Sequence, residues 1–281
     1  MLLDLLEYAL TPCSGPARAL GFLKSSLQVQ ARFRRCHRAW EPHLARTRRV
    51  ILEAAERCPQ RRLAVILGAG LLHDVPLREL SEMFREVVLV DIVFPWASRV
   101  KVRRFPNVRL LAADVTATMD ALPQAARDPA VPLPESKPMR FLDEPGLDLT
   151  VSVNLLSQLP FIPTSYLRHS RRPVDDAALA CWSRHLQDAH LDYLRRLHGH
   201  VALITDTGGR HRDRSGVVRK EWDNLHGLTL PEGGERWEWE LAPAPETDPE
   251  VDHVVNVIAY ADWSKSARAG NAVGPAPAAG E

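Results

Sequence analysis

The sequence predicts a doubly wound α/β fold: a mostly parallel seven-stranded sheet with an antiparallel terminal hairpin, preceded by a helical cap over residues 1–60. Three observations carry this prediction. From Arg62 onward, short aliphatic runs alternate with helical stretches. Those runs are apolar at nearly every position, as strands covered on both faces are. The last two runs follow one another with no helix between them, so they pair antiparallel.

The elements follow in chain order. Leu2, Leu3, Leu5, Leu6 and Leu10 suit a short amphipathic helix ending near Pro12. A longer helical pattern runs from about Ala17 to Cys58, with a break expected before Pro42. Between Arg18 and Arg62 it carries twelve Arg/Lys against three Glu, a local balance of +9. Such a segment is either a solvated helical face or a lid whose arginines meet an anionic substrate or partner. "LAVILG" (63–68) is a strand, "VPLRELSEMF" (75–84) a helix, and "EVVLVDIVF" (86–94) and "VRLLAADV" (108–115) are strands. "LDLTVSVNLL" (147–156) is a strand, residues 175–197 a long helix, and "HVALITDT" (200–207) a strand. "RWEWELAP" (236–243) alternates, with Trp237, Trp239 and Leu241 on one face and Glu238 and Glu240 on the other, and "HVVNVIAYADW" (253–263) closes the hairpin. Residues 123–146 hold six prolines and read as an irregular loop. The predicted division is a cap over 1–60, an α/β domain over 61–264 and a disordered tail over 265–281.

Composition bounds the function. The 281 residues carry 36 Lys/Arg against 35 Asp/Glu, so no global charge draws the chain to nucleic acid or an anionic membrane. Cys13, Cys36, Cys58 and Cys181 form no CxxC pair, which argues for free thiols in a reducing cytosol rather than zinc or disulfides. No histidine–carboxylate spacing predicts a metal site. The first ten residues lack a basic flank and contain Asp4 and Glu7, unlike a signal peptide or a membrane span, so a cytoplasmic location is expected.

In an open parallel sheet the ligand lies beyond the carboxyl ends of the strands. Gly68-Ala69-Gly70 follows the first strand, a turn that admits positive φ and close approach, and Asp74 and Pro76 suit the start of a helix. The second strand ends in Asp91, a carboxylate placed to accept from a ribose diol. Asp114 follows the third strand, where a carboxylate suits an adenine amine, and Asn154 lies at the carboxyl edge of the fourth.

At these residues the chain resembles the class I S-adenosylmethionine-dependent methyltransferases, whose fold is Rossmann-like. The resemblance covers roughly residues 62–263 and rests on "VILGAG", "VVLVD" ending in Asp91, "AADVT" around Asp114, "DLTVSVNLLSQLP" and the closing hairpin. It implies S-adenosyl-L-methionine as cofactor. Gly68, Ala69 and Gly70 would lie against its methionine part, Asp91 with Ile92 at the ribose, Asp114 with Val115 at the adenine, and Asn154 at the reactive methyl. Two departures stand out. The family's acid two residues before the first glycine is Ile66 here, and a common third glycine is Leu72. Asp74 is the nearby anionic side chain that could take the place of the missing acid.

Other readings compete. A nicotinamide-dinucleotide enzyme needs a glycine where His73 stands and continues with parallel units. A non-catalytic module binding a protein partner through the basic helices fits the two departures. A nucleic-acid methyltransferase would use the +9 segment, but only Phe33 and Trp40 interleave its cations. A small-molecule acceptor is favoured. Candidates near the carboxyl edge for positioning or deprotonating an acceptor are Asn154, His73, Tyr166, His169, Asp206 and His211, with a Gly208-Gly209 turn and Arg210 and Arg212 beside them. His37, His43, His185, His190 and His198 lie in helical stretches and read as structural or solvated.

Overall fold

The computed structural model describes residues 2–171 and 174–264; the tail 265–281, expected to be disordered, lies outside the described residues. The strands are β1 (Leu63–Leu67), β2 (Glu86–Asp91), β3 (Val108–Ala112), β4 (Leu147–Val153), β5 (His200–Asp213), β6 (Val218–Asp223), β7 (Glu235–Ala242) and β8 (Val251–Tyr260). The helices are α1 (Leu2–Leu10), α2 (Gly15–Leu20), α3 (Phe22–Glu56), α4 (Leu77–Met83), α5 (Trp96–Val102), α6 (Leu122–Arg127), α7 (Phe161–Arg168) and α8 (Asp176–Arg196). Among the described residues no helix is long and apolar enough to cross a membrane.

The main sheet runs in the order β3-β2-β1-β4-β5-β8-β7. β1 to β5 are mutually parallel, and β8 enters antiparallel between β5 and β7. The continuous apolar runs have the expected cause. Along β1, Leu63, Val65 and Leu67 join one buried cluster with Leu191 and Leu194 of α8, while Ala64 and Ile66 join the opposite cluster with Trp40 and Ile51 of α3. Trp237 and Trp239 point inward from β7, with Glu238 and Glu240 exposed between them.

Several expectations are corrected. The sheet has an eighth strand, β6, paired with an extension of β5. "TDTGGRHRD" is therefore strand rather than turn. Gly208 and Gly209 serve the close approach of β6: a Cβ on Gly208 would sit 2.5 Å from the Trp222 carbonyl oxygen, and one on Gly209 would sit 2.5 Å from the Trp222 ring. β2 stops at Asp91, three residues before Phe94. The Pro-rich stretch begins inside α6, and the rest is tied down. Trp182 Nε1 donates to the Pro134 carbonyl (2.9 Å) and Tyr193 Oη to the Arg140 carbonyl (2.8 Å).

The expected break before Pro42 is absent, and α3 is one helix of 35 residues. An interior proline removes one backbone bond and costs about 3 kcal/mol. Packing offsets it: Cys36, Trp40, Leu44, Thr47, Ile51 and Ala55 form a buried stripe at helical spacing, and each fully buried large apolar side chain contributes roughly 1.5–3 kcal/mol. Trp40 also donates from Nε1 to the Leu241 carbonyl (2.9 Å) and meets Trp239 edge-on at 4.9 Å. α3 is thus built into the core of the sheet. Trp40→Ala is expected to lower unfolding free energy by about 3–5 kcal/mol, read by chemical denaturation as one transition in which helix and sheet melt together; a loss below about 1 kcal/mol, or a separate early transition, would show α3 to be peripheral.

Candidate functional site

A cavity opens at the carboxyl ends of β1 to β4, where the chain order reverses between β1 and β4. The predicted residues converge on it. Gly68, Gly70 and Asp74 line it from the turn after β1, Asp91 and Ile92 from β2, Asp114 and Val115 from β3, and Asn154 from β4. Ala69 does not; it is fully buried in the cluster on the α3 side. Leu20 and Phe22, with residues of α3, form the facing wall.

The turn is bound to Asp91. The Gly70 N–H donates to Asp91 Oδ2 (2.8 Å) and the Val93 N–H to Oδ1 (3.3 Å). A Cβ on Gly70 would lie 2.8 Å from Asp91 Oδ2, so this glycine is required by the carboxylate itself. Gly68 is required twice over: its φ is +87°, and a Cβ would sit 2.5 Å from the Val153 carbonyl oxygen. Burial pushes the Asp91 carboxyl up to about 6 against its backbone donors, and the charge of Asp74 adds to the rise.

The two departures from the family pattern have structural answers. Ile66 is fully buried within β1 and does not line the cavity. Leu72 adopts φ 59°, the left-handed conformation that a glycine would enter freely. A non-glycine residue there costs roughly 1–2 kcal/mol. Leu72 is only 1% exposed, and its burial in the core offsets that strain.

Asp74 meets Asn154 across the cavity, where Asn154 Nδ2 donates to Asp74 Oδ2 (2.8 Å). Asn154 is left-handed at φ 48°, a conformation asparagine tolerates, and its Oδ1 is buried without a partner. Burial raises the Asp74 carboxyl. Behind Asn154, His43 Nε2 lies 3.2 Å from the side-chain amide, and His43 Nδ1 accepts from Trp237 Nε1 (3.1 Å). Burial lowers His43 to about 3, so the ring is neutral and can accept this N–H.

Asp114 is at the wall, but its carboxylate is committed to its own loop. Oδ1 accepts from the Thr116 N–H (2.8 Å) and hydroxyl (2.7 Å), and Oδ2 from the Thr118 and Met119 N–H groups (both 2.8 Å). Those four bonds fill the acceptor sites of a carboxylate, so the expected bond to an adenine amine meets an already occupied group.

The remaining candidates lie elsewhere. Tyr166 and His169 sit on or just past α7, outside the cavity wall, and His169 is exposed with Nδ1 donating to the Ser165 carbonyl (2.7 Å). Asp206 is buried behind the site, where Ser157 Oγ and Asn224 Nδ2 each donate to it at 2.5 Å. It anchors the 3-10 turn Leu156–Gln158, whose Gln158 reaches the cavity. His211 packs edge-on against Trp222 and His253 on the outer strands. Arg210 bonds Asn256 and Glu238, and Arg212 bonds Glu240. His73 does reach the cavity. Its ring stacks on Phe33 at 3.7 Å, burial lowers it to about 4 with Lys101 and Arg48 adding to the effect, and Nε2 has no partner.

Sequence reasoning missed Trp40, His43, Trp239 and Phe161, all on the cavity wall. For Trp40 and His43 a signal existed, since they share the stripe on α3 with Leu44 and Thr47. A histidine on an apolar face reads as structural until the facing surface is known.

No protein-family model and no curated protein sequence matches the chain. Among solved structures it is similar to the Burkholderia thailandensis 1,6-didemethyltoxoflavin-N1-methyltransferase bound to 1,6-didemethyltoxoflavin and S-adenosylhomocysteine, at 16% identity over 89% of this chain and 92% of that one, TM-score 0.38. It is also similar to the N-methyltransferase NodS of Bradyrhizobium japonicum WM9 with S-adenosyl-L-homocysteine (13% identity, 76% and 85% covered, TM-score 0.34). A third is the 23S rRNA methyltransferase ErmE (18% identity, 77% and 70% covered, TM-score 0.30). At TM-scores of 0.38 and below, none of them transfers a ligand or an acceptor to this chain.

The left-handed Leu72 makes an unusual order of stabilities testable. Leu72→Gly and Leu72→Ala both lose the buried side chain, but only glycine releases the backbone strain. Leu72→Gly is expected to be more stable than Leu72→Ala by about 1 kcal/mol in urea unfolding. The ordinary order, alanine above glycine, would contradict the positive φ.

Proposed function

We propose that the chain is an S-adenosyl-L-methionine-dependent methyltransferase acting on a small-molecule acceptor. The observation that carries this is the convergence of the Gly68–Gly70 turn, Asp91, Asp114 and Asn154 on one cavity at the switch point of a doubly wound sheet. Residues 61–264 make the methyltransferase domain, and residues 1–60 a helical cap fixed over its cavity rather than a detachable lid.

The residues present fit the cofactor. Asp74 places a carboxyl at the cavity beside Asn154, an acceptor suited to the methionine ammonium that Ile66 cannot reach. Asp91 suits the ribose diol, with Ile92 beside it. Because Asp114 is saturated by its own loop, its contribution at the adenine is to shape the loop that carries Val115. When bound, the cofactor supplies an electrophilic methyl on a sulfonium sulfur. The chain's own work is alignment and exclusion of water. Asn154 is held by Asp74 at the cavity wall.

Calorimetry with S-adenosylhomocysteine tests this. Asp91→Ala should weaken binding at least about tenfold, since a buried acceptor for the diol is lost. The wild-type protein should show a pH dependence with a defined sign. The free carboxyl sits near 6, a diol that prefers the carboxylate lowers that value in the complex, and so affinity is full above pH 6 and falls as pH drops through it. Asp91→Asn should flatten that dependence. Unchanged affinity in a folded Asp91→Ala variant would remove the assignment.

A further inference from the structure

The cavity has a second wall of different chemistry from the strand ends. It is built from Leu20, Phe22 and Val29 of the N-terminal helices, from Trp40 and His43, and from Trp239 of β7. Among the described residues no lysine or arginine lines the cavity. The cations of the basic segment are engaged elsewhere. Arg34 pairs with Glu7, Arg32 and Arg35 with Glu246, Arg49 with Glu53 and Glu235, and Arg57 with Glu53. Arg48 donates to the His73 carbonyl and to Glu41. These contacts hold six of the segment's twelve cations, and none of the twelve is among the described residues that line the cavity.

Two polar groups of the cavity residues are unmet, one in this wall and one on the turn after β1. The Trp239 side chain is 8% exposed, its ring lies flat on His43 at 4.0 Å with an interplanar angle of 4°, and its indole N–H has no partner. His73 Nε2 is likewise buried without one. An unpaired buried donor costs free energy, and a site that leaves one open favours a ligand that accepts from it. Phe161, 67% exposed, presents an apolar ring where the cavity meets solvent.

Resting on the methyltransferase reading, we propose that the acceptor is an uncharged small molecule of aromatic or similarly apolar character, held in this recess through a neutral accepting atom, a carbonyl oxygen or ring nitrogen, that takes the Trp239 indole N–H. An anionic acceptor meets no lysine or arginine among the described lining residues, since Lys101 and Arg48 are held at the Leu72 and His73 carbonyls. Trp239 acts as a specificity residue on the acceptor side and makes no contribution to the cofactor.

The test uses the full chain saturated with S-adenosylhomocysteine and two matched probes, neutral 4-quinolone and anionic quinoline-4-carboxylate, with binding read by calorimetry. 4-Quinolone should bind at least about tenfold more tightly than the carboxylate. Trp239→Phe keeps the ring on His43 and removes the N–H; it should weaken 4-quinolone about tenfold while leaving S-adenosylhomocysteine affinity within about twofold. Phe161→Ala, at an exposed position, should weaken 4-quinolone several-fold and keeps the test open if the tryptophan variant does not fold. Failure of 4-quinolone to bind, equal or tighter binding of the carboxylate, or loss of S-adenosylhomocysteine affinity in Trp239→Phe would each overturn the proposal. If the wild-type protein binds no S-adenosylhomocysteine, the cofactor reading fails instead, and 4-quinolone titrated alone still reads the neutral recess.

Discussion

Asp91 joins the end of β2 to the turn after β1 through its bonds to the N–H groups of Gly70 and Val93, and the architecture of the site follows from that tie. The carboxylate fills the space where a side chain on residue 70 would stand. The chain leaves the turn through the left-handed Leu72, and Asp74 bonds Asn154. Burial that raises the Asp91 carboxyl is the energetic cost of the arrangement, and a diol donating to it would recover part of that cost.

The second constraint is the helix α3. Its buried stripe joins the same cluster as Ala64, Ile66 and Val151, so the wall of the cavity is packed on the sheet itself. Pro42 is carried inside the helix because the surrounding side chains are held on both sides of it. Arg34, Arg35, Arg49 and Arg57 of this segment pair with Glu7, Glu246, Glu235 and Glu53, contacts worth little singly.

Much of this was legible before the fold was known. Strand ends are read from where aliphatic runs stop, and because the sheet is parallel those ends are neighbours; hence Gly68, Asp91, Asp114 and Asn154 come together as expected. What local pattern could not supply was the state of each group. Nothing in "AADVT" says that the carboxylate of Asp114 is satisfied by its own Thr116 and Thr118, and nothing in "TDTGG" says that the glycines meet a strand, β6, formed fifteen residues later. The aromatic wall was invisible for a related reason: Trp40, His43 and Trp239 meet only because α3 crosses β7, a contact between positions about 200 residues apart.

The central claim is that the cavity at the switch point is a site for S-adenosyl-L-methionine. Side-by-side titration of the wild-type chain with S-adenosylhomocysteine and with NADH tests it most directly. The account predicts saturable one-to-one binding of S-adenosylhomocysteine in the micromolar range, about −8 kcal/mol, and no binding of NADH. Binding of NADH, or the absence of S-adenosylhomocysteine binding at high micromolar concentration, would contradict it.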